Sequence, residues 1–168
     1  MSWSLFVMPV HQAAHDGVLE WVGAASHSRG VPDTVPAAVP LPTVAEVLAA
    51  FRNAGCHGEA WFQVRDAGVS PPLTRCPDPA SCGREGGLDI GEVTLRGAER
   101  ADGRVPLTSA TRVVSMSFRK PSRAGVLAAV CALASVSGPQ LVFDDSADEV
   151  FVAWPNELEA DLAREWPW

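Results

Sequence analysis

The chain has 168 residues, 47% apolar and 20% charged, with a formal charge of -7. That length suits one hydrophobic core and is short for two, so a single domain over 1–168 is expected. Twenty acidic groups against twelve arginines and one lysine disfavour unspecific attraction to nucleic acid or anionic lipid, and no apolar run approaches the roughly 20 residues that span a bilayer.

The opening MSWSLFVMPV carries neither a basic leader nor a small-residue cleavage site. It reads as no secretory signal, and the expected location is cytoplasmic. Within it, Ser4 to Val10 is short, apolar and barely alternating, the pattern of a strand buried on both faces. Residues 11–42 are expected to form a connector, with a short helix around Val18, Leu19 and Val22 weakened by Gly17 and Gly23. Pro32, Pro36, Pro40 and Pro42 stiffen its second half.

The strongest local signal follows. Thr43-Val44-Ala45-Glu46 is a capping box, and Val44, Val47, Leu48 and Phe51 recur at i, i+3, i+4 and i+7 before Gly55 supplies a left-handed stop. Glu59 to Asp66 reads as a strand with Phe62 and Val64 on one face. A Cys/Pro/Gly-rich loop, 67–87, precedes a strand from Leu88 to Gly97. Asp102-Gly103 is the expected tip of the next turn. In the strand Arg112 to Phe118, alternation places Val114, Met116 and Phe118 together.

Ser122 is the expected N-cap of a second helix, with rows Val126, Val130, Leu133 and Leu127, Cys131, Ala134, stopped by Gly138-Pro139. QLVFDDSADEVFVAW reads as a hairpin. Asn156 is the expected cap of a short C-terminal helix carrying Leu158, Leu162 and Trp166. The fold class is α+β: a single mainly antiparallel sheet with two main helices packed on one face, plus that short helix.

Four cysteines are too few for a disulfide scaffold. Cys56, His57, Cys76 and Cys82 are the right types and number for structural zinc, yet no C-x2-C knuckle is present. Two readings of RCPDPASCG therefore stay open beside a stiff loop with ordinary thiols: a zinc site and a Cys76–Cys82 disulfide. His11 and His15 share helical spacing, but Gln12 stands where a metal-assisted hydrolase would need a glutamate, so both read as exposed loop histidines. Cys131 reads as core. Trp61 and Trp154 flank predicted strands and read as core or core edge. Asp144, Asp145, Asp148 and Glu149 form an acidic hairpin tip without the ligand register of a calcium loop. There is no phosphate-binding P-loop, dinucleotide fingerprint, nucleophile elbow or kinase motif set.

The start Met1-Ser2-Trp3, the entry into TVAEVLAAFRNAG, and the run from VVSMSF through DDSADEVFV resemble a loose group of small uncharacterised bacterial α+β proteins. The resemblance implies an immunity-type or accessory protein beside a secreted toxin; it offers no catalytic residues, and the 67–87 loop departs from it. Two functional expectations result. One is a non-catalytic protein that binds a basic protein partner through Asp144, Asp145, Asp148 and Glu149 with Trp166 and Trp168, without a cofactor. The other is a small-molecule-binding domain or enzyme with a pocket between sheet and helices and a structural zinc on Cys56, His57, Cys76 and Cys82.

Overall fold

The computed structural model describes residues 3–66, 71–80, 82, 87–98 and 106–168. The expected Asp102-Gly103 tip and part of the 67–87 loop lie outside them. In chain order the elements are β1 (Ser4–Pro9), α1 (Val10–His15), α2 (Val18–Val22), β2 (His27–Arg29), α3 (Val44–Asn53), β3 (His57–Ala60), β4 (Asp89–Gly97), β5 (Val113–Arg119), α4 (Arg123–Ser137), β6 (Gln140–Asp144), β7 (Glu149–Ala153) and α5 (Glu159–Glu165).

Among the described residues seven strands make one sheet, ordered β2-β7-β6-β1-β5-β4-β3. The five central strands pair antiparallel, and the two outermost, β2 and β3, each add in parallel. The fold is therefore α+β with a mainly antiparallel sheet. Its parallel edges arise because β2 and β3 reach their partners through long connections rather than tight turns.

One sheet face carries Leu5, Val7, Val93, Leu95, Met116, Phe118, Val142 and Phe151 into a core shared with α3 and α4. Each fully buried large apolar side chain there contributes about 1.5–3 kcal/mol. Strand alternation sends Phe6, Met8, Leu141, Phe143, Val150 and Val152 to the opposite face, where α1 and α2 cover them with Val10, Ala13 and Val22. Helices thus sit on both faces, the smaller pair over only the β1–β6–β7 half. On the β5–β4–β3 half, the residues facing away from α3 and α4 are polar or charged: Glu59, Glu92, Thr94, Ser117 and Arg119. That open half holds the candidate site.

Both main helices begin as their sequences require. The Glu46 amide donates to the Thr43 hydroxyl, and the Thr43 amide donates to the Glu46 carboxylate at 2.7 Å. The Gly125 amide donates to the Ser122 hydroxyl at 3.0 Å. Gly125 also lets α4 lie against the first residue of β4, since a β-carbon there would collide with the Asp89 backbone.

Several boundaries differ from the sequence reading. The segment 11–42 holds α1, α2 and β2 rather than one short helix, so His11 and His15 stand on α1. The strand expected over Glu59–Asp66 runs only His57–Ala60; beyond it the Trp61 amide still donates to Val93 O of β4 at 2.8 Å, after which Val64 pairs with Leu107 in an isolated bridge outside the sheet's strands. In β5 an irregularity opposite Gly97 turns Val113 into the core and leaves Val114 half-buried. Asn156 does not cap the last helix: it sits at a φ of 69°, the N-cap is Leu158, and Leu158 is exposed. No described helix is long and apolar enough to cross a membrane.

Candidate metal centre

The site begins with the way α3 ends. Gly55 adopts a φ of +76°, its amide donates to Arg52 O, and the Cys56 amide donates to Phe51 O at 2.9 Å. This pairing turns the residue after the glycine back toward the helix's apolar side. Cys56 accordingly packs in the core with Phe51, 3% exposed, its thiol donating toward Gly125 O at 3.8 Å. Burial, reinforced by the negative charge of Glu159, pushes that thiol up to about 11. The next residue starts β3, and strand alternation sends its side chain the other way. His57 therefore points to the open sheet face, away from its neighbour.

Two loop segments bring thiols to His57. The Gly58 amide donates to Thr74 O at 3.1 Å, so residues 73–76 run along the outer edge of β3, with Leu73 anchored in the core. That edge contact delivers Cys76. The Asp78 side chain accepts the Ala80 amide at 3.2 Å, and the Cys82 amide donates to Asp78 O at 3.0 Å, forming a tight turn. The Gly87 amide then donates to Cys82 O at 3.1 Å, and the Ser122 hydroxyl donates to Gly87 O at 2.9 Å. A β-carbon at Gly87 would strike the Cys82 sulfur. The position of Cys82 is thereby tied to the cap of α4.

His57, Cys76 and Cys82 place one ligand atom each within 4.8 Å of one another, and His57 Nε2 and Cys82 Sγ share a hydrogen bond of 3.1 Å. A tetrahedral zinc, with bonds of about 2.05 Å to nitrogen and about 2.3 Å to sulfur, sets N and S ligands about 3.6 Å apart and two sulfurs about 3.8 Å apart. The observed spacing fits that polyhedron with small shifts. Without a cation the hydrogen bond that the Cys82 thiol donates to Cys76, ahead of desolvation and the nearby negative charges of Cys76, Asp89 and Asp78, raises the Cys82 thiol to about 11.

The structure thus brings together three of the four zinc candidates and sends Cys56 to the opposite side of the sheet. All four cysteines are free thiols, so Cys76 and Cys82 are not joined.

Two of the three, His57 and Cys76, line a cleft of about 690 Å³, within the range of small-molecule sites. Its walls include Glu59, Arg75, Asp89, Glu92, Arg119 and Lys120. It lies on the polar sheet face rather than between sheet and main helices. Arg119 donates to Glu92 at 2.8 Å and stacks over Trp61 at 5.5 Å, and Trp61 is 53% exposed rather than core. The Asp89 carboxylate accepts the Gly91 amide at 2.8 Å. Sequence reading missed Glu59, Glu92 and Arg119; only His57-x-Glu59, two polar residues one pleat repeat apart, was visible as a signal.

The other singled-out residues lie far from this cleft in the fold. Asp145 and Asp148 are exposed at the β6–β7 turn, where the Asp144 carboxylate accepts from Ser146. Trp166 is buried, edge-on to Phe151 at 4.8 Å, and offers no contact surface. Trp168 packs on Trp166 and donates to the Asp144 carboxylate at 3.4 Å. Cys131 is half-buried, and desolvation raises its thiol to about 11. No family model matches the chain, and no curated protein or solved structure matches it significantly.

Proposed function

We propose that the chain is a zinc-binding domain that takes a small polar molecule into the cleft, with the metal held by His57, Cys76 and Cys82. The observation that carries this reading is the convergence of one imidazole and two thiols from three separate chain segments. Hydrogen bonding to backbone and cap residues fixes both loop segments, as a built site requires.

Thiolate and imidazole donors favour zinc over magnesium or calcium, which take oxygen ligands. Three protein ligands, with the fourth candidate turned into the core, match the pattern in which one zinc position is left for water or substrate. The adjoining cleft supports placing that position toward a small molecule.

Protein purified from medium without added zinc and analysed by mass spectrometry should hold close to one zinc per chain. His57→Ala, Cys76→Ser and Cys82→Ser should each lower that to under about a tenth of an equivalent. A wild-type protein below that level, with no thiolate-to-metal absorption band when titrated with Co2+, would remove the reading.

A further inference from the structure

We infer that Glu59 is the proton-transfer group of a hydrolytic reaction in this cleft, acting on a small ester or amide. This inference rests on the metal reading above. It comes from asking which carboxylate at the cleft is free to work.

Three carboxylates line the cleft. Glu92 is committed to the Arg119 guanidinium at 2.8 Å, and Asp89 to the Gly91 amide at 2.8 Å. Glu59 has neither ion pair nor hydrogen bond among the described residues, and its side chain is exposed at the cleft. The irregularity in the β3–β4 pairing puts the additional residue on β4: His57 pairs with Asp89 while Glu59 pairs with Glu92. β3 itself keeps its alternation, so His57 and Glu59 share a face, one pleat repeat of about 6.6 Å apart. Glu59 is thus the uncommitted carboxylate on the cleft that shares its strand face with His57, and on this inference it would serve a water held at the position the three protein ligands leave free.

The chemistry balances with water alone. A water in the cleft loses a proton to a Glu59 oxygen as its own oxygen bonds to the carbonyl carbon; a zinc held by His57, Cys76 and Cys82 would make that water more acidic. The carbonyl π pair moves onto the carbonyl oxygen, where the charge of that zinc would stabilise it. When that pair re-forms the double bond, the C–O or C–N bond breaks. The proton held by Glu59 then passes to the departing alkoxide or amine. One water is consumed, an acid and an alcohol or amine are released, and no oxidant or reductant is needed.

The test uses the full chain loaded with zinc, and p-nitrophenyl acetate as the probe ester. Wild type should hydrolyse the probe in a zinc-dependent way. Glu59→Gln, at unchanged zinc content, should lose about 100-fold, and Glu59→Asp should retain part of the rate. A second readout is acetohydroxamate binding to the cobalt-loaded protein, followed by the visible spectrum. That probe ligates the metal and offers a proton where Glu59 would accept one, so Glu59→Gln should weaken it about tenfold. A Glu59→Gln variant within about threefold of wild type in either measurement overturns the role. So does a zinc-loaded wild type no faster than the metal-free protein. A chain that takes up no zinc fails the metal reading itself, whereas a loaded chain without hydrolysis removes only the role of Glu59.

Discussion

At the residue scale the centre turns on two adjacent side chains with opposite fates. Cys56 and His57 are neighbours in sequence, yet one is core and the other faces the cleft, because the stop of α3 at Gly55 and the start of β3 fall between Phe51 and His57. The same substitution should therefore have different consequences at different cysteines. Cys56→Ser places a hydroxyl among apolar side chains and should cost about 1–3 kcal/mol in urea unfolding while leaving one zinc per chain. Cys76→Ser should instead lose the metal. If Cys56→Ser abolished zinc binding in a protein that stays folded, Cys56 would be a ligand and the alternation argument would fail. The ligand types were legible in the sequence, since cysteine and histidine are scarce and near one another. The choice among them was not, because adjacent residues belong together in composition and apart in a strand.

At the element scale the two main helices were readable because capping and periodicity are local. Thr43 and Ser122 satisfy amides that the first turn leaves unpaired, a need that exists whatever the tertiary structure. Their roles nonetheless differ. Thr43→Ala should cost about 1 kcal/mol of stability, measured by chemical denaturation, and leave zinc affinity unchanged. Ser122→Ala should cost a similar amount and also weaken zinc binding, since the Ser122 hydroxyl donates to Gly87 O beside Cys82. Competition with a chromophoric chelator would separate the two variants; equal affinities would show that α4 does not steady the Cys82 turn. The strand after α3 was misjudged in length because Phe62 and Val64 keep an apolar alternation after the chain has left the sheet. β2 was missed because His27-Ser28-Arg29 carries no strand pattern, and its place is set by pairing with β7.

At the scale of the whole molecule, β2 and the C-terminal segment are joined by Arg29. Its guanidinium donates to Glu157 at 2.7 Å and 3.0 Å, to Val152 O at 3.1 Å and to Glu165 at 3.2 Å, and lies over Phe151 at 4.9 Å. The hydrogen bond from Arg29, then that from the Trp154 amide, holds the Glu157 carboxyl below its usual range against the opposing effect of burial. A carboxyl depressed on folding adds stability that is present above its unfolded value, near 4.5, and is lost as pH falls through the folded one. Glu157→Gln should thus cost about 1–2 kcal/mol at pH 7, with the gap to wild type closing below about pH 4. Urea midpoints across that pH range check it, and a gap independent of pH would rule out the ion pair as the cause. Sequence by itself determined the α+β class, the two capped helices, the doubly buried first strand and the residue types able to hold a metal, because each follows from local bonding or apolar spacing. Only the tertiary structure decided which thiols meet His57, which carboxylate at the cleft is left uncommitted, and that Trp166 is core. Those outcomes depend on strand parity and on loops folded back from distant positions, and neither is set by residues close in sequence.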